Sequence, residues 1–456
     1  MRLLAPRDAG TARPVRLGLP TAVVTTNRYV LPVGVVLMAI LVWTVPLQHV
    51  GIWTDHQINS DVFRYLDYAR MMVHGAIPYR DVHIEYPPGA TFIFWLTWWI
   101  PGNYVNAFSA LMLVCSCVCI LGVIATARAL GLSPLRQAIA GGVIAFAPLL
   151  LGSLISNRFD MAVAAIIAWM LYAAVTERWK TMWVLLAVGI LIKLIPVALL
   201  PLLVVWQAHR VNWRAALRGA VASLVIVAAG ILPFAVISPS GTWYFIAYNL
   251  RRPPQIESMA SSVFLALHVL VNTPVHDLET YGSINLMGAR PAELSMLVSG
   301  VLVILVLGCA AWSARLLARA HPSRDAQILM AGAAATIVAL TVTGKVLSPQ
   351  YMIWLLPVTV LVEGRAGRAA TATVVVAMLL TQAFFPLNYL ELITFHSSEI
   401  ALLVARNLTL IGLLVLCWPR ASLGTLPIAG RVLGRNPNAA TVNGPPTAVS
   451  ARHLVD

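Results

Sequence analysis

The chain has 456 residues, of which 59% are hydrophobic and only 11% charged, and its formal net charge is +14. That apolar content exceeds what one soluble core buries, and the basic residues lie scattered at the ends of apolar runs with no aromatic-interleaved patch. A soluble enzyme and a nucleic-acid binder are thereby excluded, and a polytopic, all-α membrane protein in contact with the lipid bilayer is expected.

In chain order, residues 1–28 are basic and rich in Pro, Gly and Thr, and read as a cytoplasmic tail before a retained first span, with no signal peptide. Apolar runs predict spans at 30–49, 105–127, 138–155, 161–176, 182–192, 194–206, 216–237, 294–313, 327–343, 351–362, 370–385 and 400–417, about twelve in all. Lys193 falls between two short runs, 182–192 and 194–206, and predicts a break between two partial helices. Thr91–Ile100, with Trp95, Trp98 and Trp99, is expected to lie in the interface without crossing. Residues 29–418 form one membrane domain with outer loops at 50–104 and 238–293, and 419–456 read as a disordered cytoplasmic tail. The five cysteines, Cys115, Cys117, Cys119, Cys309 and Cys417, sit inside apolar runs as small core residues, and no paired His/Cys spacing suggests a metal site.

The positive-inside rule sets the orientation. With a cytoplasmic N-terminus and a non-crossing 88–101, 21 of 31 basic residues fall inside and 12 of 17 acids outside. The outer face then carries a polar cassette with Asp55, Asp61, Asp67, Asp81 and Glu85, a short loop Asn157-Arg158-Phe159-Asp160, a long loop with Arg251, Arg252, Glu257 and His268, and a segment Lys345–Tyr351. Polar groups beside a membrane are costly and usually functional.

The cassette reads Gly75, Pro78, Tyr79, Asp81, Glu85, Tyr86, Pro87, Pro88 in the pattern G-x-x-P-Y-x-D-x-x-x-E-Y-P-P, after an acid soon past the first span. With N-R-F-D at 157–160, K-L-I-P at 193–196 and S-P-Q-Y-M-I-W-L-L-P at 348–357, the chain resembles the GT-C membrane glycosyltransferases over about residues 30–418, and most closely family 87, the polyprenyl-phosphate-mannose-dependent mannosyltransferases of actinobacteria. The resemblance implies a catalytic membrane domain that moves a sugar from a polyprenyl-phosphate donor to a glycolipid or glycan acceptor on the extracytoplasmic face. Mannose is the implied sugar and arabinofuranose the alternative. No cofactor beyond the lipid-linked donor is named, and the need for a divalent metal stays open.

Such a reaction needs a base for the acceptor hydroxyl and cations for the departing phosphate. Asp61 is expected to be the base, with Asp55 the alternative; it sits where an amphipathic helix begins, with Phe63, Leu66, Ala69 and Met72 or Val73 facing the membrane and Ser60 a possible cap. A first-turn acid favoured by the helix dipole is the structural alternative. Lys193, Lys345 with Gln350 and Tyr351, and Arg251/Arg252 are the candidates for the donor phosphate, Lys193 also for an ion pair in the site. Tyr79, Asp81, Glu85, Tyr86, Asn157, Arg158, Asp160, Glu257 and His268 are expected to order loops or meet substrate. Within that set Arg158 and Asp160 have the option of pairing with each other, and His268, like Arg406, of a structural hydrogen bond. A secondary transporter would instead put ionisable groups at the midplane of two symmetric halves, and a lipid-binding scaffold would need no carboxylate cassette.

Overall fold

A computed structural model describes residues 29–44 and 61–420. Within them the helices are α1 (Val30–Thr44), α2 (Val62–Val73), α3 (Pro88–Trp98), α4 (Tyr104–Ala129), α5 (Pro134–Ala145), α6 (Ala147–Leu151), α7 (Leu154–Asn157), α8 (Asp160–Val175), α9 (Trp179–Ile192), α10 (Leu200–Arg210) and α11 (Trp213–Ile237). They continue as α12 (Pro239–Arg251), α13 (Met259–Val271), α14 (Ala289–Leu317), α15 (Asp325–Thr343), α16 (Met352–Thr359), α17 (Gly364–Phe384), α18 (Tyr389–Ile393) and α19 (Ser397–Cys417). One antiparallel hairpin, β1 (His276–Thr280) with β2 (Ser283–Met287), pairs His276 with Met287 and Thr280 with Ser283.

Most expected apolar runs are helical, although 138–155 is broken into α5, α6 and α7 with a turn at Gly152 rather than forming one span, and residues 45–49 of the first run lie outside the described residues. Among the described residues six helices are long and apolar enough to cross a membrane: α4, α11, α14, the stretch Pro322–Thr343, α17 and α19. The others are shorter. Helices α8 and α15 form the centre; they are largely apolar all round and rich in Ala, so their backbones approach neighbours closely, α8 against α4, α9 and α16, and α15 against α14 and α19. Helices α11 and α14 bury few residues and present their apolar surface outward, as lipid-facing helices do.

Three further expectations need revision. The region 238–293, expected as a long loop, is built of α12, α13 and the hairpin. On α2 the apolar face turns into the protein: Val62, Tyr65, Tyr68 and Ala69 are buried, while Phe63 is exposed beside Asp67 and Arg70. Tyrosines at that spacing supply a packing face, which a scan for aliphatic residues does not see. The expected span 351–362 is a wholly buried short helix, α16, entered through a 3-10 turn at Pro349–Tyr351. The interfacial reading of 91–100 fits α3, whose 11 residues reach about 16 Å, roughly half a bilayer core.

Candidate active site

The antiparallel order of the helices decides which polar segments meet. Helix α8 runs from Asp160 to Val175, and beyond it Glu177 receives Arg210 Nε at 2.8 Å, while Asp325 at the start of α15 accepts from Arg210 at 3.4 Å and meets His209 Nε2 at 2.9 Å. The opposite ends of α8 and α15 therefore carry Arg158–Asp160 and Lys345–Gln350 together. The end of α9, the start of α12 and the first-loop cassette join them there. Four segments that charge bias assigned to one side thus converge.

At their meeting point Asp61 Oδ2 lies 3.1 Å from Arg158 Nε. The same guanidinium donates from Nε to Gln350 Oε1 at 3.1 Å and from Nη1 to the Asn157 side-chain oxygen at 3.2 Å, and Ser348 Oγ donates to Gln350 Oε1 at 3.0 Å. Asp61 stands at the N-cap of α2 but makes no capping bond, so its carboxylate serves Arg158 rather than the helix end. Tyr65, one turn on, donates to the same oxygen at 3.4 Å. Burial first, and the Asp61 charge second, hold the Tyr65 phenol well above its usual pKa, so it stays a donor. Below the pair lies an aromatic floor in which Tyr65 stacks on Phe94 at 4.3 Å and Tyr86 meets Phe159 edge-on at 5.2 Å. Asp55, the alternative base, lies outside the described residues, as does Ser60.

One residue past Phe159 a second pair forms. Lys193 Nζ donates to Asp160 Oδ1 at 2.6 Å, and Trp354 Nε1 donates to that oxygen at 2.5 Å. Arg158 and Asp160 therefore do not pair with each other: α8 begins at Asp160, which sends the two side chains to different neighbours. The expected break at Lys193 is present, with α9 ending at Ile192, Lys193 extended, and a 3-10 turn through Pro196 following. It swings the ammonium onto Asp160 and over the rings of Phe159 and Trp354, at 4.7 and 5.0 Å. Of its two expected roles, the ion pair is the one the geometry gives Lys193. Tyr351 stacks on Trp354 at 3.7 Å and belongs to this second pair, as Gln350 belongs to the first.

The cassette is an ordered wall. Glu85, buried, accepts from Tyr68 Oη at 2.6 Å and Arg64 Nη1 at 3.1 Å. Tyr79, at φ 68°, donates from its hydroxyl to the Tyr86 carbonyl at 2.6 Å. Asp81 accepts from the Ile77 amide at 2.8 Å and from Arg80 Nε at 2.8 Å, and Arg80 holds its carboxyl below the usual range; this exposed acid closes a turn. Two glycines let the wall close. A Cβ on Gly89 would stand 2.7 Å from the Leu191 backbone, which seats Pro87-Pro88-Gly89 against the end of α9 beside Lys193, and a Cβ on Gly241 would stand 1.7 Å from the Tyr79 carbonyl oxygen.

The remaining candidates sit farther round. Arg252 Nη2 donates to Ser283 Oγ at 2.5 Å, the Gln255 amide donates to the Lys345 carbonyl at 3.0 Å, and Lys345 Nζ donates to the Leu250 carbonyl at 3.0 Å. Lys345 thus spends a hydrogen bond on the α12 backbone beside Arg251, while Lys193 spends its own on Asp160. Glu257 is buried, its Oε2 without a partner among the described residues, and burial pushes its carboxyl up to about 7. Arg406 Nη2 and Asn407 Nδ2 donate to the Glu257 carbonyl at 3.2 and 3.3 Å. His268 Nδ1 lies 2.8 Å from the Thr273 carbonyl, a local bond at the end of α13. Trp354, Tyr68 and Arg64 are site residues that sequence reading passed over; Trp354 stood in the 348–357 motif, yet an indole donor in an apolar run carries no charge signal.

These observations define a polytopic helical membrane protein with a polar site at one end of its bundle. Residues 84–349, more than half of the chain, match the model of glycosyltransferase family 87, and the chain belongs to that family. The matched stretch takes in Glu85, Arg158, Asp160, Lys193 and Glu257, whereas Asp61 precedes it. Among solved structures, ArnT from Cupriavidus metallidurans, bound to undecaprenyl phosphate, is similar at 18% identity and a TM-score of 0.37, over 85% of this chain and 76% of that one. No curated protein matches.

Proposed function

We propose that the chain is a polyprenyl-phosphate-sugar-dependent transferase, moving mannose to a glycolipid or glycan of the cell envelope at the extracytoplasmic face, with Asp61 as general base. The observation that carries this reading is the partly exposed Asp61 carboxylate held on Arg158 where the four polar segments converge. Asp61 takes the proton from the acceptor hydroxyl as its oxygen forms a bond to the anomeric carbon. The bond from that carbon to the phosphate oxygen breaks with its electron pair, and the anomeric configuration inverts. Because the phosphate is a good leaving group, one base is enough, unlike a glycosidase pair. Arg158, oriented by Gln350 and Asn157, is the nearest cation for charge developing on the phosphate.

The test is transfer by membranes of an overexpressing strain supplied with labelled polyprenyl-phosphate sugars. Label from the mannose donor reaching lipid or glycan, and lost in Asp61→Asn, supports the reading. Transfer from the arabinofuranose donor alone would change the sugar, and no transfer from either would reject the activity. Orientation has its own check: a cysteine placed near Gly75, at the exposed His74, should react with an impermeant thiol reagent in intact cells, and labelling only after permeabilisation would overturn it.

A further inference from the structure

A cleft of about 250 Å³ lies between the cassette turn and the start of α12, away from the Asp61–Arg158 pair, lined by Arg80, His83, Ser240, Trp243, Tyr244 and Arg251. Arg251 makes no side-chain hydrogen bond or ion pair with any described residue, and Arg80 spends Nε and Nη2 on Asp81 while its Nη1 is uncommitted. No acid lines the cleft, so with Arg80 and Asp81 cancelling, its excess is one positive charge. Hydroxyls of Ser238, Ser240 and Tyr244 and the exposed Trp243 indole complete a lining suited to a phosphate bearing a polyol or sugar. The floor is closed by the approach of Gly241 to the Tyr79 carbonyl, which makes the cleft a fixed part of the fold.

Directly beneath Ser238, the last turns of the outward-facing α11 expose Leu232, Val236 and Ile237, so an apolar strip runs up to the polar opening. Toward the site, His83, Tyr244, Tyr248 and Tyr281 form a chain of rings with centroids 5.1, 5.7 and 4.9 Å apart. It ends where Gly282 meets the Arg64 guanidinium that holds Glu85. A polar pocket with one net positive charge, an apolar strip below and an aromatic track leading inward is the form expected of a site for a lipid head group.

We propose that this cleft binds the phosphate head group of a membrane lipid, Arg251 and Arg80 contacting the phosphate and the acyl or prenyl chain lying along Leu232, Val236 and Ile237. The inference rests on the transferase reading only for its role, since a bound lipid there would be either donor or acceptor. The test is native mass spectrometry of the purified protein in phosphatidylcholine nanodiscs doped with phosphatidylglycerol or with undecaprenyl phosphate. Wild type is expected to retain one doped lipid per chain, and Arg80→Gln/Arg251→Gln to retain it about tenfold more weakly. Ser240→Phe, which fills the cleft and leaves both arginines, must weaken it as well, so a folding defect in one variant does not decide the outcome. Preference for undecaprenyl phosphate marks the donor lipid, and preference for phosphatidylglycerol marks a second lipid. Retention unchanged in both variants overturns the site, and so does competition by free glycerol phosphate as strong as by the lipid, because the chain would then contribute nothing. A wild-type protein that binds lipid there but transfers no sugar would sink the transferase reading and leave the cleft standing.

Discussion

Two ion pairs separated by one residue of sequence have opposite characters. Asp61 with Arg158 stands at the mouth of the site, its carboxylate side chain 26% exposed; Asp160 with Lys193 lies beneath, its carboxylate 0% exposed and receiving the Trp354 indole too. A buried pair gains little net stability when intact but is costly to break, because the survivor is left charged and dry. An exposed carboxylate costs little to keep and can meet a hydroxyl from outside. The comparison separates a group suited to exchange protons from one that fixes the backbone around it, although both are acids in polar segments that border the apolar helices.

The difference is broken most forcefully at the lower pair. Asp160→Asn leaves Lys193 without its counter-charge among Phe159, Tyr351 and Trp354, and should destabilise the protein by about 3–5 kcal/mol, visible as a large fall in Tm and in yield. Asp160→Asn/Lys193→Met, which removes both charges, should recover much of that loss. A double variant no more stable than the single one would mean that the pair does not act as a unit.

At the upper pair the effect should fall on turnover. Asp61→Asn is nearly isosteric and partly exposed, so Tm should stay close to wild type while the transfer rate drops about a hundredfold or more. Donor binding should survive, since the amide alters the acceptor's base and leaves Arg158 in place. A well-folded Asp61→Asn with near-normal transfer would return the role to Asp55.

Much of this centre was legible in the sequence, because Asp61 stands in a polar cassette beside a span, and Arg158, Asp160, Lys193 and Gln350 are polar residues at the ends of apolar runs, where few need occur by chance. Their pairing was not. Asp61, Arg158 and Gln350 come from three segments whose meeting depends on how α2, α8 and the 349–351 turn are aligned, and Arg158 and Asp160, two positions apart, leave the start of α8 in different directions. The fold shows the same division. Span positions follow from hydropathy, but α12, α13 and the hairpin of the 238–293 region are held by contacts such as Ile256 N to the Ile284 carbonyl at 3.0 Å and Leu286 N to the Pro254 carbonyl at 2.9 Å, between positions that no local pattern links.

A third acid sharpens the comparison, since Glu257 is buried like Asp160 yet forms no ion pair among the described residues. With its pKa pushed up to about 7 by burial, against 4.5 ordinarily, the folded state holds the proton more tightly than the unfolded one. The stability it contributes is fully present below about pH 4.5 and is lost as pH rises through about 7, a span on the order of 3 kcal/mol. The Tm of wild type relative to Glu257→Gln, followed from pH 4.5 to 8, should therefore decline with rising pH. A flat difference would mean that the nearby Arg406 and Arg252 charges offset the burial of Glu257.

The smallest expected effect concerns the second partner of Asp61. Tyr65 reaches the carboxylate over 3.4 Å, a long contact beside the 3.1 Å one from Arg158, and its raised pKa keeps it a neutral donor. Tyr65→Phe removes only that hydroxyl and keeps the ring stacked on Phe94, so a weak hydrogen bond worth about 0.5 kcal/mol is lost and turnover should fall no more than about threefold. Arg158→Lys, which keeps the charge but gives up the planar fork shared by Asp61, Gln350 and Asn157, should cost more than Tyr65→Phe in the same assay. If the order is reversed and the phenol matters more than the guanidinium, the proton leaves Asp61 through Tyr65, and the upper pair is a relay rather than a base steadied by its cation.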